Sequence, residues 1–318
     1  MKKSQPMRKK KRSHIEKRVP KYHKIYEQLY ENPLIPLYRI TENTGISRST
    51  VSRYLKAMYA HSIVEGPSIF VKPAQNYHEY AAFMRFKEPS SAYKGLKGFP
   101  LVKERWLASG NWNILLICEK LMNFSLLKGF VDYFFYRMKG GTCLSKVIFF
   151  DWDQSMEEIY SALSPPEEKS TLYEEIPLLP WNEKEWLLYD TFKYNVRIEK
   201  MPPLEKTRTR FEFFQEWMLA LPEFALVQPA FYPKGLENYF MLDFLFKSEY
   251  QKQLADILGM LPSTCTFFSV GNYVFARLPV CNSKEKDELF SLIFRLQEKG
   301  FFTDFHQATV ISMPELGL

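Results

Sequence analysis

The chain has 318 residues, 46% of them hydrophobic and 25% charged, a globular composition with room for about two to four small domains. Cys118, Cys143, Cys265 and Cys281 have no CxxC spacing and the five histidines are scattered, which argues against a disulfide framework and a metal site and fits a reducing cytoplasm. The basic start lacks a following apolar core and no run of about 18 apolar residues occurs, so neither export nor a membrane partner is expected.

The net charge of +7 is uneven. Residues 1–76 hold 16 Lys and Arg against 5 Asp and Glu, and the remainder 27 against 31, as expected of a nucleic-acid-binding module on a mildly acidic body. Residues 1–20 are rich in Lys and Arg with almost nothing to bury, which predicts a disordered arm tracking phosphates. A helix over 21–30 then presents Ile25, Tyr26, Leu29 and Tyr30 to two further helices.

Those two read as a helix-turn-helix. The first spans 37–44, Gly45 supplies the positive φ of a sharp exit, Ile46 plugs the turn and Ser47 caps the second helix. Val51, Tyr54, Leu55 and Met58 form its buried stripe. The outward face carries Ser47, Arg48, Ser49, Thr50, Ser52, Arg53 and Lys56 without an acid, a surface suited to phosphates and base edges of double-stranded DNA. Two short runs at 62–65 and 69–72, joined through Gly66 and Pro67, predict a hairpin wing whose Lys72 meets phosphate. Residues 21–76 are thus a winged helix-turn-helix domain.

Over 77–151 the pattern predicts strand 80–85, helix 90–97, strands 101–108 and 112–118, helix 124–139 ended by Gly140 and Gly141, and strand 146–151. That βαββαβ order is ferredoxin-like, an antiparallel sheet with its helices on one face and the other face in need of a cover. Residues 152–176, acidic and containing Pro165 and Pro166, read as a solvated linker with a helical turn at 156–163.

The second half repeats the first at an offset of 160 to 162. Asn76 and Tyr77 return as Asn238 and Tyr239, Gly110 and Asn111 as Gly271 and Asn272, and Gly140 as Gly300. Ser47, Arg48 and Ser49 align with Thr207, Arg208 and Thr209, but the turn reads Pro202, Pro203, Leu204 and the helix after it carries Glu212 and Glu216. Residues 177–237 are therefore a degenerate winged helix-turn-helix and 238–318 a second ferredoxin-like domain. The fold class is α+β, the pair of domains occurring twice.

On ITENTGISRSTVSRYLKAM, the wing and SGNWNILL, the chain resembles the Lrp/AsnC family of transcriptional regulators. The resemblance implies a winged helix-turn-helix followed by a ferredoxin-like effector domain, sequence-specific DNA binding and paired effector domains. It further implies a small-molecule effector near the turn between the second and third strands, here Ser109, Gly110, Asn111 and Asn113, with Gly271 and Asn272 in the second half. Asn111 and Asn113 stand where the family commonly has acids. The halves should pair within one chain, and a homodimer of such chains should read a palindrome. No catalytic residue, cofactor or metal is expected on this reading, and no enzymatic activity. The alternative is a siroheme-decarboxylase-like tetrapyrrole enzyme of the same fold, with His78, Arg105, His306 and Arg277 as its available donors.

Overall fold

The computed structural model describes residues 17–312, so most of the basic arm lies outside the described residues. Three helices open the fold: α1 (Val19–Glu31), α2 (Leu37–Thr44) and α3 (Arg48–Ala60). Gly45 follows α2 at φ 68°, a left-handed position where a Cβ is disfavoured. Val51, Tyr54, Leu55 and Met58 of α3 are buried against Tyr22, Ile25, Tyr26 and Leu29 of α1 and Ile40 of α2, which closes a three-helix core.

The predicted wing hairpin is one strand, β1 (Val64–Val71), bulged between Glu65 and Ser68. Its partner comes from the other half of the chain: β7 (Ala225–Phe231), antiparallel, with Val64 opposite Phe231 and Val71 opposite Ala225. Before β7 lie α6 (Glu183–Phe192), α7 (Met201–Lys206) and α8 (Phe211–Phe224), whose core joins Leu188, Phe192, Leu204, Phe214, Trp217 and Leu221 to Ile69 and Val71 of β1. Pro202 and Pro203 sit in the first turn of α7, where no backbone donor is needed, and the left-handed turn residue is Arg208 at φ 52°.

Between and beyond these modules run β2 (Glu79–Phe86), α4 (Pro89–Gly95), β3 (Val102–Gly110), β4 (Ile114–Cys118), β5 (Phe130–Lys139) and β6 (Cys143–Leu144). Then come α5 (Trp152–Ala162), β8 (Phe240–Lys247), α9 (Gln251–Leu258), β9 (Thr266–Val270), β10 (Tyr273–Val280), α10 (Ser283–Glu298) and β11 (Asp304–Ser312). The first four strands are ordered β3-β4-β2-β5 and the last four β9-β10-β8-β11. These half-sheets join at β3–β11 and β5–β9 into a closed eight-stranded barrel, with β6 continuing after β5 along the same edge of β9. Phe83, Trp106, Trp112, Leu115 and Ile117 from one half and Leu245, Phe268, Val270 and Phe275 from the other fill it, as side chains fill a barrel of this size.

Two predicted elements of the first half are corrected. The helix at 124–139 is a loop followed by β5. Its aromatic run contacts the barrel core through Phe134 and Phe135 and the outer layer through Phe130, Tyr133 and Tyr136, so no alternation marks it as a strand. The strand at 146–151 is an extended strap along α1. Val147 enters the helical core, where its N–H donates to Tyr26 Oη at 3.0 Å and its carbonyl lies 2.7 Å from His23 Nε2. The outer face of the first half is covered by α4 and by Phe124 of the loop, that of the second by α9 and α10. The acidic stretch after 151 holds a full helix, α5, whose Trp152, Met156 and Ile159 complete that second outer layer.

Gly110 lies on the β3–β11 seam at φ 152°, and a Cβ there would stand 2.4 Å from the Gln307 carbonyl oxygen and 2.6 Å from Ala308 Cα. Backbone strain and overpacking add, so Gly110→Ala should lower stability by at least about 2 kcal/mol in urea unfolding. An unchanged midpoint would show that the seam is not needed for closure.

Candidate nucleic-acid interface and barrel-mouth cavity

The polar face of α3 is where the sequence places it. Ser47, Arg48, Ser49, Arg53 and Lys56 are exposed, while Thr50 and Ser52 are partly covered. Ser47 precedes the helix, but its hydroxyl donates to Thr50 Oγ1 at 3.0 Å, and its oxygen accepts from no N–H of the helix. Among the described residues, Arg48, Arg53 and Lys56 have no acidic partner, which leaves their charge available. Arg53 lies over the Tyr54 ring at 5.6 Å, and Arg18, from the start of α1, reaches the same ring at 5.9 Å. Lys17, Lys21 and Lys24 are also exposed, so α1 broadens the basic surface beyond what the helix-turn-helix motif indicates.

Lys72 does something else. Its Nζ donates to the carbonyls of Pro222 and Glu223 at 3.0 and 3.2 Å, at the end of α8, where unpaired carbonyls and the helix dipole attract a cation. The outer face of α8 exposes Glu212 and Glu216, with Arg208 and Arg210 exposed just before the helix.

The six residues expected at an effector site have structural duties. Asn111 exchanges bonds with the backbone of Gln307, its N–H donating at 2.9 Å and its Oδ1 accepting at 2.9 Å. Asn113 pairs both side-chain atoms with the Phe86 backbone at 2.9 Å. Ser109 and Gly110 are in the β3–β11 ladder, while Gly271, at φ 60°, and Asn272 form the exposed β9–β10 turn. The donors considered for a tetrapyrrole do not converge: Arg105 donates to the Tyr93 carbonyl at 2.8 Å, His78 stands 3.9 Å from Glu175, and His306 3.3 Å from Asp304. Of these, Arg277 lines a cavity at the barrel mouth.

That cavity, of about 210 Å³, lies between the barrel mouth and a roof made by β1 and the end of α6. Glu79 is central to its charge. It accepts from Lys103 and Lys139 at 2.9 Å each and from Tyr77 Oη at 2.8 Å. Burial alone would raise its pKa, but Lys139 and Lys103 outweigh burial and hold it well below the usual carboxylate range. Burial likewise opposes charge on Lys103, which Glu79, Tyr189 and Tyr77 hold protonated. Across the mouth, Arg277 clamps Asp243 through Nε and Nη2 at 2.7 and 2.8 Å and stacks on Trp106 at 4.7 Å. Sequence reasoning passed over Glu79, Lys103, Lys139 and Glu104 because each lies in a strand, apart from any motif.

Comparisons with known proteins agree with the helical module. A family model of winged helix-turn-helix DNA-binding domains matches residues 23–64. No curated protein sequence matches the chain. Among solved structures, the siroheme decarboxylase NirDL aligns with 92% of this chain and 91% of its own, at 14% identity and a TM-score of 0.48. The same enzyme with an iron-uroporphyrin III analogue gives 91% and 90%, 12% identity and 0.46. E. coli AsnC aligns with 37% of this chain and 88% of its own, at 12% identity and 0.27. The expectation of no enzymatic activity is withdrawn, because the near full-length match is an enzyme. Among the described residues no helix is long and apolar enough to cross a membrane, and no group of His, Cys, Asp and Glu could hold a metal ion.

Replacing Glu79 by Gln would leave two buried lysines with one neutral acceptor. Breaking a buried ion pair from one side costs about 3–5 kcal/mol, and Glu79→Gln should lose that much in urea unfolding at pH 7. Because the folded-state pKa of Glu79 is depressed, its contribution is present above the unfolded carboxylate pKa of about 4.3 and is lost as pH falls further. The gap between parent and variant should therefore narrow at pH 3; a constant gap would contradict the charge assignment.

Proposed function

We propose that this chain is a sequence-specific DNA-binding transcriptional regulator of the Lrp/AsnC type, internally duplicated, in which only the N-terminal helical module reads DNA. The observation that carries the reading is the unpaired basic face of α3, set on a core that leaves Arg48, Ser49, Arg53 and Lys56 outward. With no acid to satisfy them, these groups suit phosphates and the acceptor edges of bases in the major groove. Arg18, Lys21 and Lys24 of α1 extend the surface along the backbone, and residues 1–16 add further basic charge.

The common strand order of the two half-sheets and the pairing of β1 with β7 support a duplication whose halves close on each other within one chain. The acids on α8 and the use of Lys72 to cap that helix support a second module that has given up DNA for a supporting role. A palindromic site then needs two chains, with half-sites roughly 10 bp apart or a multiple of that.

Fluorescence anisotropy on a duplex carrying the preferred sequence tests the assignment. Affinity should fall steeply with salt as counterions are released. Arg53→Ala should cost about 1–3 kcal/mol, while Arg208→Ala with Arg210→Ala should leave affinity within about threefold. Loss of binding in the second variant with its fold intact would mean that both modules read DNA.

A further inference from the structure

At the barrel mouth each cation already has an acidic partner. Lys103 and Lys139 share Glu79, Arg277 holds both oxygens of Asp243, and Lys193 pairs with Asp190 at 2.9 Å. Of the acids that line the cavity outside these pairs, Glu65 has the Ser62 hydroxyl, whereas Glu104, half-buried, has among the described residues neither a hydrogen bond nor an ion pair. Burial and then repulsion from Glu79 raise its pKa, against weaker opposing pulls from Lys139, Lys103 and Arg277. A half-buried carboxylate without a partner is partly desolvated, and that cost is relieved by a cation that brings its own donors. Around it the walls are aromatic and apolar: Trp106, Tyr194, Tyr232, Phe268 and Phe275.

We propose that this cavity binds a small organic ammonium ion, with Glu104 as its counter-charge and the aromatic wall around its carbon body. A carboxylate or phosphate ligand is disfavoured, since Glu65, Glu79 and Glu104 all line the cavity and like charges repel. The volume of about 210 Å³ admits a compact monoamine and excludes a macrocycle. The roof is β1, whose Glu65, Ser68, Ile69, Phe70 and Val71 line the cavity, and Val64 of the same strand is buried in the α1–α3 core. Occupancy is thereby felt one strand away from α3. This regulatory half of the inference rests on the DNA-binding reading; ligand binding itself does not.

The test is calorimetric titration of the DNA-free, full-length protein with benzylammonium, n-butylammonium and tetramethylammonium chlorides, with sodium benzoate as the anionic control. At least one ammonium ion should bind saturably at one per chain and benzoate should not. Glu104→Gln, checked for an unchanged melting curve, should weaken that binding by at least about tenfold, and Glu104→Asp should restore part of it. Should the Gln variant fail to fold, the parent decides: benzoate binding as tightly as the ammonium ions, or no saturable ammonium binding, overturns the proposal. Ammonium binding by a protein that ignores DNA would sink the regulatory reading alone, whereas DNA binding with an inert cavity would sink this inference alone.

Discussion

Each half-sheet has two apolar faces and helices for only one of them. That constraint governs the molecule. The inner faces carry Phe83, Trp106 and Trp112 on one side and Leu245, Phe268 and Phe275 on the other, and neither set could be left in water. Closing the sheets edge to edge buries both sets in one core and also satisfies the edge strands β3 and β11. Gly110 permits the approach at that seam because nothing larger than hydrogen fits between the backbones. At the other seam β5 pairs with β9 through Lys139 opposite Val270, and β6 then takes over the edge of β9, which leaves the barrel mouth open toward the cavity.

The same closure places the N-terminal helical module. Since the halves are held in the barrel, β1 and β7 meet and the two helical modules share a ribbon. The strap after β6 ties the first module down by Tyr26 and His23, and Arg197 reaches back to the carbonyls of Pro33 and Ile35 at 2.9 and 3.0 Å. The basic face of α3 thus stands on a rigid base, and a change at the cavity roof has a short path to it through β1. In the proposed role, holding the helix this way would lower the entropy cost of docking on a duplex.

The helix-turn-helix was legible in the sequence almost to the residue, because Gly45 and the stripe of Val51, Tyr54, Leu55 and Met58 are local signals that the fold leaves unaltered. The core strands of the barrel were legible for the same reason. β5 was not: with aromatic side chains half-buried on both faces, its run fits helical spacing as well as an extended one. The strap at 146–151 has the composition of a strand, but its partners are α1 side chains 121 and 124 residues away, and nothing local announces them. The wing misled because its two short runs pair with β7 and not with each other. At the site, the basic face followed from the motif, whereas the charge cluster of Glu79, Lys103, Lys139 and Glu104 comes from strands brought together by closure. Lys72 was assigned by sign alone, and its real partner is a helix end in the other half of the chain.

The central claim is that the α3 face reads DNA sequence. Selection of bound duplexes from a random-sequence pool by the full-length protein tests it most directly. The account predicts a recurrent motif arranged as paired half-sites, and loss of that motif when Arg48 and Arg53 are both changed to Ala. Recovery of the unselected pool, or an enriched motif that survives both substitutions unchanged, would contradict it.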